Sequence, residues 1–156
     1  MSMAWRLVLV GRDDGVQAPL QQLVDSLSLT GRVIFVGQVN DVADFWAIGD
    51  IGVLPSHQEG FSNSILEGMA TGLPMVVTNV GGNAEAVLHG ITGLVVPPHS
   101  PGELAAALHT LAKDAPKRLA YGQAARLRAK EKFSIDACLN AYDELYSAVL
   151  RGEWTR

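Results

Sequence analysis

The sequence has little cysteine, few aromatic residues and no long apolar run. Of its 156 residues only Cys138 is a cysteine, so neither an intrachain disulfide nor a cage of thiolates around a metal ion can form. A reducing compartment suits this composition, and we expect a cytoplasmic protein. The apolar run Leu7–Val10 ends at Gly11, which makes it too short for a secretory signal or a membrane span.

Positive charge is also scarce. Twelve basic and 16 acidic residues give a formal net charge of −4, which argues against nucleic acid as a partner. A basic stretch follows Pro116, and we interpret it as a solvated helix face. It contains Arg118, Arg126, Arg128, Lys130 and Lys132. Hydrophobic residues make up 48% of the chain, enough for a core in a domain of this length, and a disordered chain is excluded.

Apolar runs of strand length alternate with helical patterns along the whole chain. This alternation predicts an α/β protein with a Rossmann-like, doubly wound parallel sheet flanked by helices. The short runs are rich in Val, Ile and Leu, so we expect both faces of the strands to be covered. The predicted strands are residues 5–10, 33–36, 51–54, 75–78 and 93–96. We expect residues 1–156 to form one domain.

The last predicted helix begins near Ser134 and Asp136 and has apolar residues along one side. Cys138 belongs to that apolar side. We therefore predict that Cys138 is a core residue rather than a reactive thiol.

The densest cluster of unusual residues lies between 51 and 82. A strand ends at Leu54, a polar loop follows, and Ser62 or Asn63 is expected to cap a helix that continues to about Thr71. The loop also contains His57, which we interpret as an exposed polar residue. In open α/β sheets, ligands bind at the carboxyl ends of the strands. This loop is therefore the predicted binding site.

The start of this helix has the properties of an anion site. Backbone N–H groups near Asn63, Ser64 and Ile65 are free of intrahelical partners, and the helix dipole favours negative charge there. Gly60 lets a ligand approach the backbone closely, and Phe61 supplies an apolar wall beside it. A phosphate could bind here without a basic side chain.

Two carboxylates flank this start, with seven residues between Glu59 and Glu67. The apolar neighbours of Glu67 predict a half-buried helix, in which a carboxylate needs hydrogen-bond donors. Ribose or sugar hydroxyls are suitable donors. The cluster therefore predicts a sugar-phosphate ligand.

Here the sequence resembles a known family. The segment HQEGFSNSILEGMATGLPMVVTNVGGNAE, residues 57–85, resembles the E-x7-E segment of the retaining glycosyltransferases of family 4, which have the two-lobed GT-B architecture. The resemblance extends over roughly residues 5–150. It implies that residues 1–156 are a single C-terminal donor-binding lobe, truncated by about one strand and helix at its N-terminal end, and that the N-terminal acceptor lobe is absent.

The resemblance also implies roles for individual residues. Glu59 would be the catalytic residue and would contact the hydroxyls of the donor sugar. Glu67 would contact the ribose of the nucleotide. The backbone that holds the sugar and the diphosphate would be Gly60, Phe61, Ser62, Asn63, Ser64 and Ile65. The residues beside the base would be Gly37, Gln38 and Val39, with Arg12 near the same rim. Gly81 and Gly82 resemble a second glycine turn, which we interpret as a packing feature.

The leading hypothesis is retaining transfer of a glycosyl group from a nucleotide-diphosphate sugar of the UDP or GDP type, without a metal or cofactor. The acceptor, a sugar, lipid or small molecule, would bind to the absent lobe, and peripheral membrane association of the full enzyme stays open. We expect the chain alone to be inactive. The main alternative is a stand-alone binding or interaction module with a degenerate nucleotide-sugar site. A sugar-phosphate epimerase is a third possibility, and a dehydrogenase is disfavoured because Gly11 and Gly15 lack the G-x-G-x-x-G interval.

Overall fold

Short parallel strands alternate with helices along residues 4–153, the part of the chain that the computed structural model describes. The ends of the predicted domain, residues 1–3 and 154–156, lie outside the described residues. The elements are β1 (Leu7–Val10), α1 (Gln17–Ser26), β2 (Val33–Gly37), α2 (Ala43–Ala47), β3 (Gly52–Leu54), α3 (Asn63–Thr71), β4 (Met75–Thr78), α4 (Asn83–Ala86), β5 (Gly93–Val96), α5 (Pro101–Lys113), α6 (Ala115–Lys132) and α7 (Ile135–Leu150). The predicted α/β class is confirmed.

The strands form two sheets. β1 pairs with β2, and β4 lies between β3 and β5, with every pairing parallel. The chain divides into two compact units, one up to Asp44 and one from Phe45 onward. All five predicted strands are present, and the bounds of β4 and β5 are as predicted.

The first unit contains β1, α1 and β2. Val24 of α1 is buried, whereas Leu23 and Leu27, which lies just after the helix, are exposed. Leu7 and Val8 of β1 are also exposed, so the prediction that both faces of this strand are covered is wrong. The physical reason is that Leu7 and Val8, as neighbours along a strand, point to opposite faces of the sheet, and among the described residues no element fully covers either face at this end of β1.

The core of the second unit is arranged around β4, which is buried along its whole length. Alternation along the strand places Met75 and Val77 in one cluster with Ile65 and Met69 of α3. Val76 belongs to a second cluster, with Leu111 of α5. Each large side chain buried in this way contributes about 1.5–3 kcal/mol. The sheet is therefore covered on both faces, as expected for a doubly wound arrangement.

The last helix, α7, begins as predicted, because the Ser134 side chain accepts a hydrogen bond from the Ala137 N–H at 3.1 Å. Its apolar side, however, is exposed: Ile135, Leu139, Tyr142, Leu145, Tyr146 and Val149. Cys138 is exposed as well, so its predicted place in the core is wrong. α7 packs against α6, and that contact leaves the apolar side uncovered. Within residues 4–153, no helix is both long enough and apolar enough to cross a membrane.

Two helices end with the same backbone motif but with different residues. After α1, Ser28 has φ +56°, and the N–H groups of Ser28 and Leu29 donate to the carbonyls of Asp25 and Val24. After α3, Gly72 has φ +88°, and the N–H groups of Gly72 and Leu73 donate to the carbonyls of Met69 and Gly68. This left-handed position suits glycine, because it strains residues that carry a Cβ.

We therefore predict opposite effects of exchanging these residues. Ser28→Gly relieves the left-handed strain and raises the free energy of unfolding by about 0.5–1 kcal/mol. Gly72→Ala introduces the strain and lowers the free energy of unfolding by about 1 kcal/mol. Urea unfolding followed by circular dichroism measures both. A destabilised Ser28→Gly variant would contradict the prediction.

Candidate functional site

The predicted binding loop connects β3 to α3 and holds Glu59 in a defined position. The Glu59 side chain is half-buried, and its Oε1 accepts a hydrogen bond from Ser56 Oγ at 2.8 Å. The backbone carbonyl of Ser56 in turn accepts one from Thr78 Oγ1, at 2.6 Å. Since Thr78 ends β4, the carboxylate is oriented through two hydrogen bonds from the rigid central strand.

A second loop, the turn after β4, packs directly on the first. The Gly82 N–H donates to the Gly60 carbonyl at 2.7 Å. Gly81 has φ +49°, and a Cβ at this position would overlap the carbonyl oxygen of Glu59. The packing role predicted for Gly81 and Gly82 is therefore confirmed. Asn83, which is fully buried, secures the turn by donating from Nδ2 to the Thr78 carbonyl at 3.0 Å.

The N-terminus of α3 is open. Ser62 occupies the N-cap position with an extended backbone, yet no side chain makes a capping hydrogen bond to this helix, contrary to the predicted cap. Ile65 differs from its neighbours, since its N–H donates to the Ser62 carbonyl at 3.3 Å and its side chain is fully buried. The groups left to receive an anion are therefore the N–H groups of Asn63 and Ser64.

Glu67 lies on the exposed side of α3. The helix is half-buried as predicted, through Ile65 and Met69, but position 67 lies about 200° around the helix from position 65. Its carboxylate is therefore exposed to water, and the expectation that burial forces it to find donors is wrong. Its Oε2 accepts a long hydrogen bond, 3.3 Å, from Trp46 Nε1.

Two histidines meet at this edge of the second sheet. The rings of His57, in the loop after β3, and His99, after β5, are stacked with centroids 4.4 Å apart and planes within 9°. Both side chains are exposed, as predicted for His57. His99 has φ +56°.

The remaining predicted site residues lie in the first unit. Arg12 and Gly37 line one shallow, largely apolar hollow of about 170 Å³ at the carboxyl ends of β1 and β2. The Arg12 guanidinium is engaged with Asp14, Nε to Oδ1 at 2.7 Å. After β2, Gln38 is exposed and Val39 half-buried.

Asp13 fills the N-terminal end of α1. Its Oδ1 accepts hydrogen bonds from the N–H groups of Gln17, Gly15 and Val16 at 2.9–3.0 Å. The bond from Gln17, followed by those from Gly15 and Val16, holds the pKa of Asp13 below its ordinary value.

Several residues that support the site were not identified from the sequence: Ser56, Thr78, Asn83 and Arg128. A serine three residues before Glu59 and a threonine at a strand end are weak signals, because many such residues face water. Arg128 belongs to the basic stretch that we interpret as a solvated face, but its guanidinium donates to two backbone carbonyls.

The chain is similar in sequence to known glycosyltransferases. The family model described as "Glycosyl transferases group 1" matches residues 1–114. N-acetyl-alpha-D-glucosaminyl L-malate synthase from Bacillus anthracis is 34% identical over 149 residues, which are 95% of this chain and 39% of that protein. The chain thus spans about two fifths of that relative's length.

Solved structures agree with the sequence matches. Anabaena HepE, solved in complex with UDP, has a TM-score of 0.85 at 30% identity, over 92% of this chain and 41% of that one. The C-terminal domain of the group 1 family protein LpcC from Francisella tularensis has a TM-score of 0.77 at 29% identity, over 84% of this chain and 71% of that one. The similarity covers both units of the chain.

The contact between the two loops predicts a sharp difference between two glycines. Gly81→Ala must move the Glu59 backbone and adopt a left-handed conformation, so we expect the free energy of unfolding to fall by about 2 kcal/mol or more. Gly60→Ala is the control, since a Cβ there meets nothing within 4 Å. Equal losses in urea unfolding would contradict the role assigned to the turn.

The lowered pKa of Asp13 predicts a pH dependence of stability. A carboxyl group whose pKa is lower in the folded state stabilises that state above its unfolded pKa, and the contribution disappears as the pH falls through the folded pKa. In Asp13→Asn the capping oxygen remains but the charge does not. Wild type is therefore expected to be more stable than Asp13→Asn at pH 6, and the difference is expected to vanish below the lowered pKa. A difference that is independent of pH would contradict this.

Proposed function

We propose, on the premise that this chain belongs to the group 1 glycosyltransferases, that it is the donor-binding lobe of a retaining enzyme of the family 4 type and binds a nucleotide-diphosphate sugar. The observation that carries the proposal is the pairing of an oriented Glu59 with an uncapped start of α3 at the carboxyl edge of a parallel sheet. Its relative HepE was solved with UDP and with UDP-glucose, and we infer a ligand of that class.

The diphosphate would lie at the start of α3. The N–H groups of Asn63 and Ser64 have no side-chain acceptor and would donate to phosphate oxygens, with support from the helix dipole. Charge grows on the diphosphate as the bond to the sugar breaks. Donors already in position would stabilise this charge without rearrangement, which lowers the barrier to departure.

Glu59 would orient the sugar. The bond from Ser56 occupies its Oε1, so that its Oε2 is the oxygen available to accept from a sugar hydroxyl. We assign it orientation rather than nucleophilic attack, since a nucleophile must lie on the face opposite the leaving group. The acceptor would then attack from the face that the diphosphate leaves.

Glu67 would accept from the ribose hydroxyls. Its exposed carboxylate is held by one long hydrogen bond from Trp46, which a better-placed pair of hydroxyl donors could replace or join.

In the first unit, Gly37, Gln38 and Val39 remain the predicted contacts of the base, and Arg12 is a further candidate. Arg12 would contact a ligand only at the expense of its ion pair with Asp14.

We place the whole enzyme's acceptor, a sugar, lipid or small molecule, outside this chain, which spans about two fifths of the glucosaminyl L-malate synthase relative and of HepE. On this view the chain binds donor but does not transfer sugar, and the active enzyme works in the cytoplasm, with or without peripheral membrane association. Sugar transfer by the purified chain would contradict this division of roles.

A binding or interaction module with a degenerate site is the second candidate. The exposed apolar side of α7 favours it, because large exposed apolar patches mark interaction surfaces. Association that depends on concentration, together with a melting temperature that no nucleotide changes, would support this candidate over the first.

The roles of the two acids predict different binding profiles. Glu59→Ala removes a sugar contact and is expected to weaken UDP-glucose roughly tenfold while leaving UDP unchanged. Glu67→Ala removes a ribose contact and is expected to weaken both ligands roughly tenfold. Isothermal titration calorimetry measures the affinities, with GDP and GDP-sugars tested in parallel. Glu144→Ala, an exposed acid on α7, is the control, and equal binding by Glu67→Ala and this control would refute the ribose role.

A further inference from the structure

A connected set of contacts runs from α6 to the back of the candidate site. Arg128 is half-buried on α6, and its guanidinium donates from Nε to the Ala86 carbonyl at 3.0 Å and from Nη2 to the Glu85 carbonyl at 2.7 Å. These carbonyls end the short helix α4. Charged donors make strong bonds to carbonyls at a helix end, where the dipole is negative. Arg128 therefore anchors the C-terminal end of α4 to α6.

The same guanidinium also covers an aromatic ring. Its Cζ lies 5.3 Å from the centroid of the Phe133 ring, within the range of a cation–π interaction. Phe133 is the C-cap residue directly after α6 and packs against Phe61, with centroids 5.5 Å apart and planes tilted by 48°. Such tilted pairs contribute beyond the area they bury. Arg128 thus reaches the binding loop through Phe133.

The two routes from Arg128 meet at the loop contact described above. Gly82 lies at the start of α4, and its N–H donates to the Gly60 carbonyl. A Cβ at Gly82 would come within 2.6 Å of the Phe61 ring. These contacts link one set of residues in a ring, which we call the brace. The brace consists of Arg128, α4, the turn with Gly81 and Gly82, Phe61 and Phe133.

We infer that Arg128 is a positioning residue for nucleotide-sugar binding, acting through the brace to set the backbone of Glu59, Gly60 and Phe61. The inference rests on the proposed function. No atom of Arg128 need touch the ligand for this role.

The brace requires an arginine. A guanidinium is planar and can donate in its plane to two neighbouring carbonyls while its face covers a ring, whereas a lysine ammonium has no rigid fork of donors and no flat face to stack on the ring. Arg128→Lys preserves charge and most of the length, and is therefore expected to fail as a replacement. Lys130→Ala, which removes an exposed positive charge from the same helix, is the matched control.

The test measures three properties separately: the conformation of the loop, the stability of the fold and the affinity for the ligand. Amide resonances of Gly60, Phe61 and Gly82 are recorded by NMR in the ligand-free chain, together with urea unfolding and the Kd values for UDP and UDP-glucose at a temperature where every variant is folded. For Arg128→Lys and Phe133→Leu we expect shifted resonances and roughly fivefold to tenfold weaker UDP-glucose binding. For Lys130→Ala we expect neither.

The outcomes are distinct. Loss of stability with unchanged resonances and unchanged Kd would reduce Arg128 to a structural residue and overturn the inference. Shifted resonances with an unchanged Kd would overturn it as well, because the brace would then move the loop without affecting the ligand. Failure of the wild-type chain to bind any nucleotide would instead overturn the proposed function, whatever the resonances show.

Discussion

The hydrogen bond from the Gly82 N–H to the Gly60 carbonyl joins the loops that leave β3 and β4, and the candidate site depends on it. The two backbones approach so closely that Gly81 and Gly82 have no room for a side chain. The Glu59 carboxylate accepts a hydrogen bond from Ser56, whose carbonyl accepts one from Thr78. The Phe61 ring packs against the Phe133 ring. The loop after β3 is thus tied by hydrogen bonds and packing to the central strand β4 and to the turn that follows it. Such support is the preorganisation that binding and transition-state stabilisation require.

How far the sequence predicts this structure differs between the two units. The strands β4 and β5 lie at their predicted bounds because each contains three consecutive apolar residues, and β5 ends directly before Pro97. The same reasoning fails for β1 and for Cys138, since an apolar residue shows what could be buried but not whether another element covers it. The start of β1 is left partly uncovered, so that Leu7 is exposed. Cys138 is exposed because α7 packs on α6 in a way that leaves its apolar side uncovered.

The candidate site shows the same limit at the level of side chains. The positions of Glu59, Gly60 and the start of α3 follow from local sequence, because turn and helix signals act over a few residues. The partners of those residues do not, since Arg128 is 42 residues away from Ala86 along the chain and Thr78 is 22 away from Ser56. The apolar neighbours of Glu67 correctly indicate a half-buried helix, but they do not show on which side of it position 67 lies, and the Glu67 side chain is exposed to water.

The exposed Cys138 has a practical consequence, because it is the single thiol of the sequence and stands on the surface of α7. A maleimide dye or a nitroxide would attach to each molecule at one known position without any engineered cysteine. The label would report on whatever approaches the apolar side of that helix, while the loops around Glu59 stay chemically untouched. In air the same thiol would link two molecules slowly through a disulfide, so a reducing agent belongs in every measurement of the oligomeric state.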